Sequence, residues 1–468
     1  MGRPSVYPTG TTKYVPEKCQ SGYTLFPGQK KGAVLIDMNG RIVRFYKDFQ
    51  GMPNKMIRGG YLFGALGRRD HTAAYQDYTD LTEIDWDGNI AWTYNRTEYV
   101  EDKGRAPQWV ARQHHDFQLE GNPVGYPVPG QETAPDFGKI MVLTHANVRD
   151  PRVSDELLME DVVRIVDREG NLLWDWHLLD HYDEFGLTDQ QKQVIHDHPN
   201  MQNSRPEGEG DFFHVNSVSW IGPNRWYDAG DERFHPENII LSSRETNIMF
   251  IVDHETGRIV WKLGPDYREV PFGTLIGMHH AHVIPKGLPG EGNILVYDNG
   301  GWAGYGEPTQ VSPIGLKVDR RDYSRILEFN PQTLEVVWQF GPEDLGGPEP
   351  FHQNWFYSPL VSNTQRLANG NTLIIEGTEG RILEVTPEKE VVWEYTYPYV
   401  ENDILYRAYR IPYDWIPQLE KPEEIPVTPP QNDQFVLPGA FTADFDSASV
   451  SVAGVRGFVA DGDFNVQQ

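Results

Sequence analysis

The chain has 468 residues, with 41 Lys and Arg against 68 Asp and Glu, a formal charge of −27. That balance excludes the basic surface needed to hold nucleic acid or an anionic membrane. An aromatic content of 12% excludes a disordered chain, and a single cysteine, Cys19, excludes an intrachain disulfide. The start MGRPSVYPTG holds no apolar stretch of the kind a secretory signal needs, and nowhere is there an apolar run long enough for a membrane-spanning helix. A cytoplasmic chain is the expectation from the residues alone.

One pattern recurs in chain order. An apolar alternating segment ends in a polar turn and resumes as an apolar segment closed by aromatics. Its six copies are VLIDMNGRIVRFY (34–46), LTEIDWDGNIAWTY (81–94), VVRIVDREGNLLWDW (162–176), FIVDHETGRIVWKLG (250–264), ILEFNPQTLEVVWQFG (326–341) and ILEVTPEKEVVWEY (382–395). Each predicts a β-hairpin. Between them a second unit recurs: KMIRGGYLFGAL (55–66), QHHDFQLE (113–120) with GKIMVLTHA (138–146), FFHVNSVSWI (212–221) with NIILSSRE (238–245), HHAHVIP (279–285) with GNILVYDNG (292–300), and NTQRLANGNTLIIEG (363–377). Two strands plus two strands, repeated, predict an all-β six-bladed propeller of four-stranded antiparallel blades over residues 1–420. The first blade has no leading unit; GYTLF (22–26) supplies one strand and ring closure the other. Helical pattern is expected only at 154–163 and 187–198. From Lys421 a Pro- and acid-rich linker leads into a tail (421–468) that closes the ring or packs on it.

The inner strand of each blade lines the channel, and eight of the 15 histidines fall at or beside these strands. They are His114, His115, His145, His214, His279, His280, His282 and His352. Several inward imidazoles on successive blades converge on one axis, which a purely structural scaffold does not require. Arg244 and Arg325 each follow a serine and offer planar donor forks suited to sulfate, phosphate or carboxylate.

Three blocks carry a family resemblance. His214-Val-Asn216-Ser-Val followed by Ser242-Ser243-Arg244, the segment from His279 through GNILVYDNG, and Tyr323-Ser324-Arg325-Ile-Leu-Glu with Trp338 to Gly341 resemble the bacterial arylsulfotransferase (ASST) family, over roughly residues 10–410. The resemblance implies nucleotide-independent movement of a sulfuryl group from a phenolic sulfate ester to a phenol, by a ping-pong route through a sulfurylated histidine. It implies no cofactor and a periplasmic or exported location. Carried over, His214 matches one active-site histidine, His279 or His280 a second, and Arg325 the arginine. The family's sulfurylated histidine belongs to the last inner-strand region, which here reads SPLVSNTQRLANGN without histidine; His352 precedes it. Catalytic candidates are therefore His214, His279, His280, Arg244, Arg325 and His352. His115, Asn216, Trp302, Tyr305, Trp355 and Tyr357 are candidates for binding a small aromatic substrate.

A second reading uses the same histidines as ligands. His115, His214, His280 and His282 then hold one transition metal at the axis of a lyase, hydrolase or oxidoreductase. The oligomeric state is open in either reading.

Overall fold

The computed structural model describes residues 9–28, 32–49, 53–66, 77–78, 80–101, 106–199, 210–346, 353–398 and 404–429. Six of their antiparallel sheets are arranged as a six-bladed β-propeller, beside two two-stranded sheets. From inner to outer strand, blade 1 is Tyr409–Ile411, Tyr23–Gly28, Gly32–Ile36 and Ile42–Tyr46, and blade 2 is Lys55–Ile57, Tyr61–Ala65, Leu81–Ile84 and Ile90–Tyr94. Blade 3 is Gln113–Leu119, Lys139–Val148, Leu158–Asp167 and Leu172–His177; blade 4 is Val215–Trp220, Ile239–Ser243, Ile248–Val252 and Ile259–Leu263. Blade 5 is His279–Val283, Ile294–Asp298, Arg325–Phe329 and Val336–Phe340; blade 6 is Asn363–Arg366, Thr372–Glu376, Arg381–Val385 and Val391–Thr396. Every repeated hairpin in the sequence is the outer half of a blade.

Both ends of the ring are sewn into neighbouring blades. Tyr409–Ile411 is the missing inner strand of blade 1, with Ile411 opposite Tyr23 and Tyr409 opposite Leu25. Gly10–Tyr14 adds a fifth strand to the outer edge of blade 6, with Tyr14 opposite Trp393. Part of the acidic linker lies along that strand, where Tyr14 and Val427 exchange backbone bonds of 2.8 and 3.0 Å. The compact unit runs to Thr428. The tail strands expected beyond residue 429 lie outside the described residues.

The recurrent aromatic on each closing strand has a specific task. The indole N–H of Trp92 donates to the carbonyl of Arg168 at 2.6 Å, and that of Trp176 to Gly257 at 2.8 Å. Trp261 donates to Pro331 at 3.0 Å, Trp338 to Pro387 at 3.0 Å and Trp393 to Met38 at 2.8 Å. Each bond runs from one blade to the outer turn of the next. Blade 1 has no tryptophan there; the guanidinium of Arg44 donates instead to the carbonyl of Trp86 in blade 2. The blades also bury apolar faces against one another. Between blades 4 and 5, for example, Ile240, Ile251, Met278, Val283, Val296 and Leu327 are fully buried, each contributing about 1.5–3 kcal/mol.

The helix expected at 187–198 forms over Asp189–Asp197, capped by Thr188, whose hydroxyl accepts from the Gln191 backbone while the Gln191 side chain accepts from Thr188. The helix expected at 154–163 does not form. Leu158–Asp167 is a ten-residue strand paired along its whole length with Lys139–Val148. Every residue of the segment has a partner across that ladder, and tertiary pairing overrides a weak local pattern. No helix among the described residues is long and apolar enough to cross a membrane.

Candidate active site

The inner strands open with register shifts, between Gln113 and Phe117, Val215 and Ser217, and His279 and His282. An extra residue bends the strand and re-aims its side chains. Beside these shifts three histidines adopt the left-handed backbone region, His115 at φ 52°, His214 at 57° and His280 at 51°; Val361 and Ser362 do the same ahead of the blade 6 inner strand. Non-glycine residues held there cost about 1–3 kcal/mol each, and such strain gathers at functional sites.

His279 is held in one tautomer. Its Nδ1 faces the side-chain oxygen of Asn299 at 2.8 Å and the carbonyl of Gly277 at 3.1 Å. The amide nitrogen of Asn299 donates to the carbonyls of Ser358 and Val361 at 2.8 and 2.9 Å, which fixes which way that amide points. Both partners of Nδ1 are acceptors, so Nδ1 carries the proton and Nε2 carries the lone pair. Burial, then the positive charge of Arg244, hold the imidazole well below its ordinary pKa, with further contributions from His214 and Arg407. The ring is neutral and nucleophilic at pH 7.

His214 has the opposite character. Its Nδ1 donates to Asp211 at 2.6 Å, and both side chains are buried. Burial lowers its pKa, but the Asp211 carboxylate, three residues upstream, outweighs it and the net direction is up. The pair is a carboxylate-oriented imidazole with its pKa shifted upward, able to give and retrieve a proton. His115 lies edge-on to His214 with ring centroids 4.7 Å apart, and its Nδ1 is 2.7 Å from that of His114. Burial, then the charge of His214, lower the pKa of His115 well below the usual range.

A buried ionic network underlies these rings. Asp116 binds Lys55 at 2.9 Å and Arg407 at 2.7 Å, and Arg407 also donates to the carbonyl of Asn216 at 2.7 Å. All three ionic side chains are almost wholly inaccessible. Desolvation lowers Lys55 to about 8 despite Asp116. The charge of Arg407 acts on His115, His279 and His280 alike. Arg407 sits in the closing segment, outside the repeated units, where period and spacing carry no signal for it.

The remaining candidates divide. Arg244 is mostly buried, pairs with Glu245 and reaches the carbonyl of Pro359 at 3.5 Å. Arg325 is held by Asp298 at 2.7 Å and by the carbonyls of Phe272 and Thr274 at 2.8 and 3.3 Å, on the third strand of blade 5. Asn216 is committed to the Met278 carbonyl at 2.8 Å and to the Ser242 hydroxyl at 3.0 Å. Tyr305 is buried and donates to the carbonyl of Phe212 at 2.6 Å. Trp302 and Trp355 are exposed, while Tyr357 is close enough to Arg244 to feel its charge. His280 is fully buried, and neither ring nitrogen has a hydrogen-bond partner; the Thr364 backbone beside it affects its pKa without forming a proper bond. His352 lies outside the described residues.

The four-histidine metal set is not what the structure assembles. Both ring nitrogens of His282 are engaged, Nε2 with the Tyr126 hydroxyl at 3.0 Å and Nδ1 with the His280 carbonyl at 3.0 Å, and His214 is committed to Asp211. Among the described residues, the ligand-type atoms that converge belong to His114, His145 and Asp161.

The fold is a six-bladed propeller with a cluster of buried imidazoles on its inner strands. The arylsulfotransferase (ASST) family model matches residues 133–407, more than half of the chain, and the chain belongs to that family. Aryl sulfotransfer is its activity class, with a phenolic or aryl substrate. No curated protein matches the chain. Among solved structures it is similar to a protein of unknown function from Bacteroides caccae, at 11% identity over 84% of this chain and 99% of that one, TM-score 0.44. Virginiamycin B lyase from Staphylococcus aureus matches at 10% identity over 84% and 85%, TM-score 0.33. AztD from Citrobacter koseri matches at 10% over 84% and 98%, TM-score 0.34.

Proposed function

We propose that the protein transfers a sulfuryl group from a phenolic sulfate ester to an acceptor phenol, without a nucleotide donor, through a sulfurylated His279. The observation that carries this reading is the locked tautomer of His279, with His214 paired to Asp211 close enough to act on it. In the first half-reaction, the Nε2 lone pair attacks sulfur while the bond from sulfur to the phenolic oxygen breaks. His214, held charged by Asp211, gives its proton to the departing oxygen. Arg244 stabilises the sulfuryl oxygens, and Arg407, committed to Asp116 and Asn216, adds its positive charge from beneath the rings. The acceptor phenol then gives its proton to His214 and attacks sulfur, releasing His279. The family match supports the reaction class, and the exposed Trp302, Trp355 and half-buried Tyr357 supply aromatic faces for the aryl ring.

A donor such as 4-nitrophenyl sulfate, mixed with the protein and no acceptor, is expected to release one burst of nitrophenol per chain and then stop. Adding a phenol restores turnover, with parallel double-reciprocal plots. Steady hydrolysis without an acceptor, or intersecting plots, would contradict the covalent route.

The pH dependence follows from two opposed shifts. His279, lowered well below 6.5, stays a neutral nucleophile until the pH falls far under that value. His214, raised above 6.5, stays an acid until the pH climbs through its elevated pKa. The kcat/KM profile for the donor is therefore expected to be flat across 6.5, with its alkaline limb above that value. In Asp211→Asn the imidazolium loses its partner and that limb moves to lower pH. An unmoved limb would remove His214 from the acid role.

A further inference from the structure

The bend at 358–362, just ahead of the inner strand of blade 6, reaches across to blade 5. Its backbone is left-handed at Val361 (φ 57°) and at Ser362 (φ 85°). A β-branched residue held there is an outlier, kept only where its surroundings over-determine it. Three carbonyls of the bend meet residues of the site. Those of Ser358 and Val361 accept from the Asn299 amide at 2.8 and 2.9 Å. That of Pro359 accepts from Arg244 at 3.5 Å.

The bend is braced by its own hydroxyls. Oγ of Ser362 donates to Oγ of Ser358 at 2.9 Å, which donates to the carbonyl of Leu360 at 2.8 Å. The backbone N–H groups of Gly377 and Thr378, just past the second strand of blade 6, donate to these two hydroxyls at 3.0 and 3.1 Å. From blade 5, the hydroxyl of Ser324 donates to the Asn299 carbonyl at 2.7 Å and accepts from the Ser358 N–H at 2.9 Å. Asn299, Ser324, Ser358 and Ser362 are all fully buried. Two glycines admit this close approach. A Cβ on Gly301 would overlap the Pro359 oxygen, and one on Gly377 would lie 2.6 Å from Cγ2 of Val361.

We propose that the bend at 358–362 is a positioning element of blade 6 that sets both the tautomer of His279 and the placement of Arg244 in blades 5 and 4. It acts on His279 through Asn299. With both amide protons taken by carbonyls of the bend, the Asn299 oxygen faces Nδ1 of His279 and the lone pair stays on Nε2. Were the amide turned over, its N–H groups would face Nδ1 and the ring proton would move to Nε2, removing the nucleophile. It acts on Arg244 through the oxygen of Pro359, the residue beside Ser358. The strained backbone lies where the Val361 carbonyl meets the amide, which suits a bend kept for orientation. The inference rests on His279 as the nucleophile and Arg244 as the sulfuryl-binding arginine.

The test uses the full chain labelled with 15N-histidine, with the His279 ring assigned by its loss in His279→Ala. The unaltered protein is expected to show that ring protonated on Nδ1 alone. Ser362→Ala removes the brace and touches no group that meets substrate. It should give a mixture of the two tautomers and lower kcat for 4-nitrophenyl sulfate with phenol by about tenfold or more. KM should stay within about twofold. Ser324→Ala loosens the same contact from blade 5, should move both readouts the same way, and decides if Ser362→Ala fails to fold. The Arg244 arm is tested by Asn299→Ala with Ser362→Ala, expected to be slower than Asn299→Ala alone. A double variant no slower than the single one overturns that arm. An Nδ1-only spectrum in the folded serine variants, or an Nε2-protonated ring in the unaltered protein, overturns the positioning of His279. If the tautomer shifts but the unaltered protein turns over no aryl sulfate, the positioning stands and the sulfuryl-transfer reading falls.

Discussion

His279→Ala is expected to lower kcat/KM for an aryl sulfate by on the order of 10^4-fold or more, the scale on which covalent nucleophiles are lost, and to abolish the burst of phenol. The fold should survive, because the ring's bonds to Asn299 and Gly277 lie at the start of one inner strand. Asn299→Ala separates orientation from presence. It leaves the imidazole but frees its tautomer, and should cost about 10^2-fold or more in kcat with little change in KM. His280→Ala is the informative neighbour. If it alone removes the burst while His279→Ala retains it, the covalent role belongs to the deeper ring, whose two nitrogens are both without partners.

Asp116→Ala is expected to destabilise the ring by about 3–5 kcal/mol, the range for removing one partner from a buried ion pair. The reason is geometric. Asp116 stands between Lys55 of blade 2 and Arg407 beside the inner strand of blade 1, at 2.9 and 2.7 Å. Without it two buried cations face each other in a region with little water. Asp116→Asn keeps the shape and one acceptor oxygen and should lie between the two. Urea unfolding followed by tryptophan fluorescence measures both. A change under about 1 kcal/mol for the alanine variant would show that the network contributes no more than a surface pair.

The repeat carried the architecture into the sequence in plain view. A hairpin that places Trp92, Trp176, Trp261, Trp338 and Trp393 at the same point in five of the six blades has one economical explanation, and the indole bonds to the next blade supply it. The histidine-bearing strands were legible for the same reason, since inner strands follow from the repeat. What period and spacing could not convey was pairing at a distance. Arg407 lies in an irregular segment before the closing strand and meets Asp116 across 291 positions of chain. The choice between His279 and His280 turns on which ring meets Asn299, a fact of strand register and of the shift between His279 and His282. Asp211 was within reach, as a carboxylate three residues ahead of a histidine, and its role emerges only because both are buried together. The helix expected at 154–163 failed for a similar reason: its partner strand lies in another repeat unit.

The most direct measurement is the site of the covalent label. The protein is mixed with an aryl sulfate in the absence of acceptor, quenched at alkaline pH where phosphoramidate-like N–S bonds persist, digested and sequenced by mass spectrometry. The mass of one SO3 group is expected on His279, at about one per chain, and it should disappear when a phenol is added before the quench. A label on any other residue, or donor turnover with no labelled peptide, would contradict the account.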